Sequence, residues 1–268
     1  MSFLEKDLRT FDGRRIVARG DSKNRYSVRI ADSEDSIRAA QILRFLVFNL
    51  ELNEGLETSY DTLIDADEFD AVCDHLVVED RKSGEVVGTY RLQTGTSAGS
   101  NLGYYSESEF DLTPFDSVRG QTVELGRACV HRDHRNLSVL SLLWRGIIEY
   151  ARDRGARYLI GCSSLSSQNE DEGVALYRTL RDEYLAPADF VTTPRPDFRC
   201  ASRLPPEELP RVRAPRLLAA YLAMGARICG EPAIDRQFRT IDFLTFIDLC
   251  ALDPETLQRL GVVFPSAS

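Results

Sequence analysis

Apolar positions change period several times along the chain, and each change marks an element. RYSVRIAD, residues 25–32, alternates with Val28 and Ile30 on one face and predicts a strand. Ser33 then offers an N-cap to SEDSIRAAQILRFLVFNLEL, where apolar residues at 37, 40, 43, 46 and 47 keep helical spacing. CDHLVVED and EVVGTYRLQ flank the turn RKSG and predict an antiparallel hairpin. Residues 94–121 read as loop with a short helix. TVELGRACV predicts a further strand, followed by a helix from about residue 137 (LSVLSLLWRGIIEYARDRG) that Gly155 caps. RYLIGCSS is the next strand and EDEGVALYRTLRDEYL the next helix. Residues 186–213, rich in proline and arginine, predict a long ordered surface connection. A helix over 214–228 and a strand over 238–249 close the order.

This succession predicts an α/β fold built on a mixed sheet. Residues 122–163 form a βαβ unit, expected as a right-handed parallel crossover. Residues 1–24, polar and mixed, read as a loose extension. Residues 25–268 read as one domain, with a core over 25–185 and a C-terminal portion over 186–268.

Composition narrows the classes. At 268 residues, 43% apolar and 28% charged, the chain has the make-up of a globular protein with one sizeable core. A net charge of −9 argues against a protein made to coat nucleic acid, though it leaves room for a local basic patch. Six widely spaced cysteines without a CxxC pair predict thiols in a reducing cytoplasm. The first residues lack an apolar signal core, and no apolar run reaches the ~18 residues of a membrane span.

Seven ordered blocks carry a resemblance: DEFD with AVCDHL (67–76), VGTYRL, GYYSESEFDL (103–112), VELGRACVHRDHRN (123–136), LLWRGI, YLIGCSSL and GEPAIDRQFRTIDF (230–243). Together they resemble the GNAT-fold N-acyltransferases that make ornithine lipids from acyl carrier protein thioesters, proteins also described as hemolysin-like. DEFD…YRL…ELGR is also similar to the acyl-homoserine-lactone synthases. The resemblance implies a GNAT fold, a mixed central sheet flanked by helices. It implies transfer of a (3-hydroxy)fatty acyl group from acyl carrier protein to the α-amine of L-ornithine, giving lyso-ornithine lipid. No bound cofactor is implied; the donor brings its own 4′-phosphopantetheine, on acyl carrier protein or on coenzyme A. The alternatives are a synthase of N-acyl glycine or another N-acyl amino acid, a lactone synthase using S-adenosylmethionine, and a non-catalytic carrier-protein- or lipid-binding module.

The residues can be weighed against that chemistry. Aminolysis of a thioester needs a neutral amine, a polarised carbonyl and an exit for the proton. It needs no metal, and His131 and His134 lack a third ligand nearby in sequence. Glu124 alternates with apolar residues on a strand, where a carboxylate is costly unless paired or used. It is the candidate base, with an ion pair to Arg127 or Arg91 as the plain alternative. Arg127 and Arg91 are candidates to hold Glu124, Asp70 or the substrate carboxylate through bidentate pairs. Asp67, Glu68 and Asp70 would receive a cationic side chain or fix Arg127, or form a solvated loop. His75 is either a proton shuttle or a buried core histidine.

The segment HRDHRNLSVL takes the place where a GNAT protein grips its donor's pyrophosphate, yet Ser138 and Leu140 stand where glycines are usual. Those side chains would crowd coenzyme A, which favours a carrier-protein donor with its single phosphate diester. His131, Arg132, His134, Arg135, Asn136 and Ser138 are the expected carrier and phosphopantetheine contacts. With Arg145, Arg152, Arg154 and Arg157 they suggest a basic face for an acidic carrier. The patch lacks interleaved aromatics, so a nucleic-acid partner is not expected. Tyr104, Tyr105, Phe110, Trp144 and the apolar helix 217–228 are candidates to line an acyl-chain groove, and that helix also suits a peripheral membrane contact.

Overall fold

The computed structural model describes residues 24–259, so the expected loose extension over 1–24 lies, except for Asn24, outside the described residues. Its sheet is mixed and holds β1 (Tyr26–Ile30), β2 (Asp74–Asp80), β3 (Glu85–Thr94), β4 (Thr122–Val130), β5 (Tyr158–Leu165), β6 (Arg227–Ile228), β7 (Ala233–Asp235) and β8 (Thr240–Asp248). The spatial order is β1-β2-β3-β4-β5-β8-β6, with β7 also paired to β8. Among the described strands only β4 and β5 run parallel; the other pairs are antiparallel.

Around the sheet lie α1 (Glu34–Arg44), α2 (Ser59–Thr62), α3 (Gly95–Ser100), α4 (Leu137–Asp153), α5 (Glu170–Tyr184), α6 (Arg216–Ala223) and α7 (Pro254–Arg259). Ser33 caps α1, its side chain accepting from Ser36 N, with Glu34 and Asp35 in the first turn. The helix expected to run on through LEL instead widens into a π-helix over Phe45–Leu52. There burial alternates (Phe45, Val47 and Asn49 inside) instead of following an α-helical stripe, which the wider i→i+5 turn accommodates. The helix expected over 214–228 is also divided. Gly225, at φ +102°, turns the chain out of α6, so Arg227 and Ile228 enter the sheet beside β8.

One face of the sheet is dry. Leu76, Val78, Leu92, Val123 and Leu159 pack there against Val139, Leu143, Trp144 and Ile147 of α4. Leu176, Leu180, Leu218 and Leu222 of α5 and α6 extend the packing over Ile241 and Phe243. The other face carries two apolar clusters, one around Leu43, Val47 and Cys129, the other around Phe110, Phe115, Tyr158 and Phe246.

The site depends on how β4 leaves β5. Their ladder covers only Thr122↔Tyr158 to Glu124↔Ile160. At Gly161 a Cβ would lie 2.3 Å from the Leu125 carbonyl oxygen, so the strands touch closely there. On its other edge β4 sets Cys129 opposite Thr89 but Gly126 opposite Arg91, one residue more than β3 supplies. That bulge puts Arg127 at φ +50°, a left-handed conformation uncommon outside glycine. Beyond Glu124 the two strands no longer bond to each other, and a cavity opens between them. Among the described residues no helix is long and apolar enough to cross a membrane.

Candidate active site

The cavity between the parted strands measures about 270 Å³ and is lined by Glu124, Arg127, Arg91, Gln93, Tyr105, Cys162 and Asp242, with Leu217 of α6 among the apolar walls. A smaller space of about 50 Å³ shares Leu125, Arg127, Ala128, Cys162 and Leu217 and adds Tyr90, Trp144 and Tyr221.

Glu124 is buried on β4 and makes no ion pair with Arg91 or Arg127. Its carboxylate instead accepts from backbone N–H groups of a 3-10 turn, Tyr105 N at 2.7 Å and Ser106 N at 2.8 Å, and from Ser106 Oγ at 2.5 Å. Burial pushes its pKa above the ordinary glutamate value; the bonds from Ser106 and Tyr105 work in the opposite direction. Two carboxylate oxygens offer about four lone-pair sites and these bonds fill three, leaving room for one proton. Gln93, opposite Glu124 on β3, has both amide atoms buried and unpartnered.

The arginines are held elsewhere, by a buried ionic network. Arg127 grips Asp65 through Nε (3.1 Å) and Nη2, and its guanidinium lies between the rings of Phe48 (4.8 Å) and Phe238 (4.5 Å). Arg91 bonds Asp67 and, at 3.1 Å, Asp70. Arg44 bonds Asp65 at 2.7 Å and Asp70 at 2.8 and 2.7 Å. Desolvation would raise the Asp70 pKa, but the bond and charge of Arg44, with Arg91, hold it well below the carboxylate range. Three guanidiniums thus meet three carboxylates.

This corrects several expectations. The DEFD run fixes Arg91 and Arg44 rather than Arg127; Asp67 and Asp70 are already neutralised and Glu68 is exposed. His75 is buried but does not line the cavity: its Nε2 lies 3.2 Å from the Asp70 carbonyl oxygen, and burial depresses its pKa. Tyr104 and Phe110 also stand away from the cavity, in the cluster around Phe115. Tyr104 hydrogen-bonds the carbonyls of Arg119 and Thr122. Trp144 reaches the smaller space, and Tyr105 packs edge-on against Phe69 at 5.4 Å.

The loop after β4 is exposed. Asn136 caps α4, accepting from Val139 N at 3.1 Å, and Arg135 is clamped on Glu51 at 2.6 and 2.8 Å. His134 Nδ1 lies 3.1 Å from the Tyr26 hydroxyl, while Arg132 and Ser138 face solvent. The later arginines are not a free basic face: Arg145 pairs with Glu149, Arg152 with Asp153, Arg154 with Asp74 and Arg157 with Asp248.

Residues that sequence reasoning passed over complete the site. Arg44 stands in the apolar run QILRFLVF and Asp242 in the apolar strand TIDFLTFID, the same signal that singled out Glu124. Asp65, Gln93, Ser106 and Glu109 gave no such signal.

A sheet whose two parallel strands part over a buried glutamate defines the class, and the family model described as acetyltransferase (GNAT) domain matches residues 43–145. The AHL synthase LasI shares the fold, with a TM-score of 0.50 at 12% identity, covering 91% of this chain and 98% of that one. The L-ornithine N(alpha)-acyltransferase of Rhodobacter capsulatus is 32% identical over 237 residues, 85% of this chain and 91% of that relative. The enzyme of the same name from Brucella abortus is 33% identical over 247 residues, 87% of this chain and 88% of its own. The chain belongs to the L-ornithine N(alpha)-acyltransferase family.

Proposed function

We propose that this chain transfers a (3-hydroxy)fatty acyl group from acyl carrier protein to the α-amine of L-ornithine, giving lyso-ornithine lipid. One observation carries the chemistry: Glu124 is a buried carboxylate with no cationic partner among the described residues, on the wall of a cavity opened by strand separation. The names of the relatives supply the acceptor.

In the reaction, Glu124 takes a proton from the incoming ammonium and leaves a nucleophilic amine, with Gln93 beside it to orient the nitrogen. The amine attacks the thioester carbonyl carbon; the new C–N bond forms as the carbonyl π pair moves onto oxygen. Backbone N–H groups of β4 past the end of its ladder with β5 are the donors for that oxyanion. Collapse of the intermediate breaks the C–S bond, and the pantetheine thiolate leaves with the proton that Glu124 took from the ammonium. Glu124, again a carboxylate, takes the second proton from the attacked nitrogen and passes it to solvent, leaving the amide N–H. Arg127, locked by Asp65, keeps Nη1 outside that pair and suits the acceptor's carboxylate.

The donor arm would enter past the His131–Ser138 segment, where Arg132 is exposed and no glycine-rich loop offers a pyrophosphate cradle. The apolar wall of Leu125, Ala128 and Leu217 that the two spaces share, with Trp144 of the smaller one, would take the acyl chain. Exposed Ile42, Leu46, Leu50 and Leu52 suit a peripheral contact with the inner face of the cytoplasmic membrane, where so hydrophobic a product would be released.

The test is product analysis by mass spectrometry, with purified protein, 3-hydroxyacyl carrier protein or the matching acyl-coenzyme A, and ornithine, glycine or S-adenosylmethionine. N-acyl ornithine formed from the carrier-protein donor is expected. An acyl lactone, N-acyl glycine alone, or no product from any pair overturns the reading.

A further inference from the structure

Opposite Glu124 the site holds a second set of acids that the proposed transfer does not use. Glu109 follows the 3-10 turn that binds Glu124, is 1% exposed, and among the described residues meets the Asp242 carboxyl but accepts from no backbone, amide or cationic donor. Asp242 on β8 is 5% exposed, lines the cavity and leaves Oδ1 unpartnered. The terminal atoms of Glu109, Asp242 and the cavity-lining Cys162 all lie within 4.8 Å of one another. Asp235 on β7 is buried near them and accepts from Gln237 N and Phe238 N. Among the described residues no arginine, lysine or histidine forms an ion pair with Glu109, Asp235 or Asp242.

The contrast with the neighbouring network is what matters. Asp65, Asp67 and Asp70 each have a guanidinium, while this equally buried group has none. A buried carboxylate without a counter-charge is costly: burial with the charges of Asp242 and Asp235 raises the pKa of Glu109, and burial with the charge of Asp235 raises that of Asp242. A cation delivered through the cavity would reverse that penalty. The Cys162 thiol is itself pushed well above its ordinary range by burial and the surrounding acids, so it offers a metal a protonated, poor ligand. Glu124, Cys162 and Asp242 line the same cavity, so its two acidic ends face one common space.

We propose that Asp242 and Glu109, backed by Asp235, form the recognition site for the side-chain ammonium of the acceptor amino acid, holding its α-amine at Glu124. This rests on the acyltransferase reading above and adds how a diamino acid is chosen over neutral ones. Selection of this kind is strong, because a neutral side chain leaves the buried carboxyls unanswered.

Steady-state acyl transfer to L-ornithine and to L-norvaline, the same skeleton without the δ-amine, tests it in the wild type, Asp242→Asn and Glu109→Gln. The wild type is expected to favour ornithine at least about 100-fold in kcat/KM, and each variant to lower that ratio about tenfold or more, mainly through KM for ornithine. As a second readout, L-ornithine alone should raise the melting temperature of the wild type and not of the variants, and norvaline should raise neither. Each variant's own thermal melt verifies folding, and removing an uncompensated acid should not lower it. An unchanged ratio in folded variants, or activity that a chelator removes and a divalent metal restores, overturns the ammonium site alone. Transfer to no amino acid removes the acyltransferase reading, and this site with it.

Discussion

Asp65→Asn perturbs the buried network at its most constrained member. Asp65 is fully buried, bonds Arg44 Nε at 2.7 Å and holds both Nε and Nη2 of Arg127. Removing its charge leaves Arg44 with two bonds to Asp70 but Arg127 with no carboxylate, only the rings of Phe48 and Phe238. Breaking a buried pair from one side costs about 3–5 kcal/mol. Arg127 retains 12% side-chain exposure and the asparagine retains one acceptor, so the lower end, about 3 kcal/mol, is expected. In a chain of this size that corresponds to a melting temperature lower by about 6–12 °C. Urea denaturation of the wild type, Asp65→Asn, Arg127→Met and the double variant reads both the loss and the coupling. A coupling of at least about 1.5 kcal/mol is expected, with the double variant more stable than the sum of the single losses implies. A loss below about 1 kcal/mol, or additive losses, would refute the ionic account of how Arg127 is held.

Three further outcomes follow from the structure. Gly161→Ala should destabilise the protein by about 1–3 kcal/mol in urea, because the new Cβ meets the Leu125 carbonyl where the strands touch. Glu109→Gln should gain stability relative to the wild type as pH rises from 5 to 8. A folded-state pKa raised above the ordinary value of about 4.3 means the native protein binds that proton more tightly, so its stability falls as pH climbs towards the raised value. Denaturation at both pH values checks the sign. Arg132→Ala should raise KM for the acyl carrier protein by about two- to fivefold, with the effect fading at high salt and kcat unaltered; initial rates at two ionic strengths read it.

Much of the fold was legible because it rests on local periods. Alternation marked β1 through β5, and the Ser33 and Gly155 signals bracketed their helices; Gly155 sits at φ +65° just past α4. The π-helix and the break at Gly225 were not legible, since each follows from how side chains pack after the chain collapses. At the site, Glu124 was legible as a carboxylate among apolar neighbours, and Arg44 and Asp242 carried the same mark. Pairing was not. Nothing local says that Arg127 reaches back 62 residues to Asp65, or that DEFD closes on Arg44 and Arg91. The bulge at Arg127 is likewise a property of the β3–β4 register, invisible within VELGRACV itself. Glu109 looks ordinary in SESEF, and only the fold brings it against Cys162 and Asp242.

The central claim is that Glu124 accepts the proton of the attacking amine. The pH dependence of kcat/KM for Glu124→Gln against the wild type tests it most directly. The account predicts a fall of about 100-fold or more at neutral pH, with the acidic limb of the wild-type profile lost. A variant turning over at the wild-type rate, with that limb intact, would contradict it.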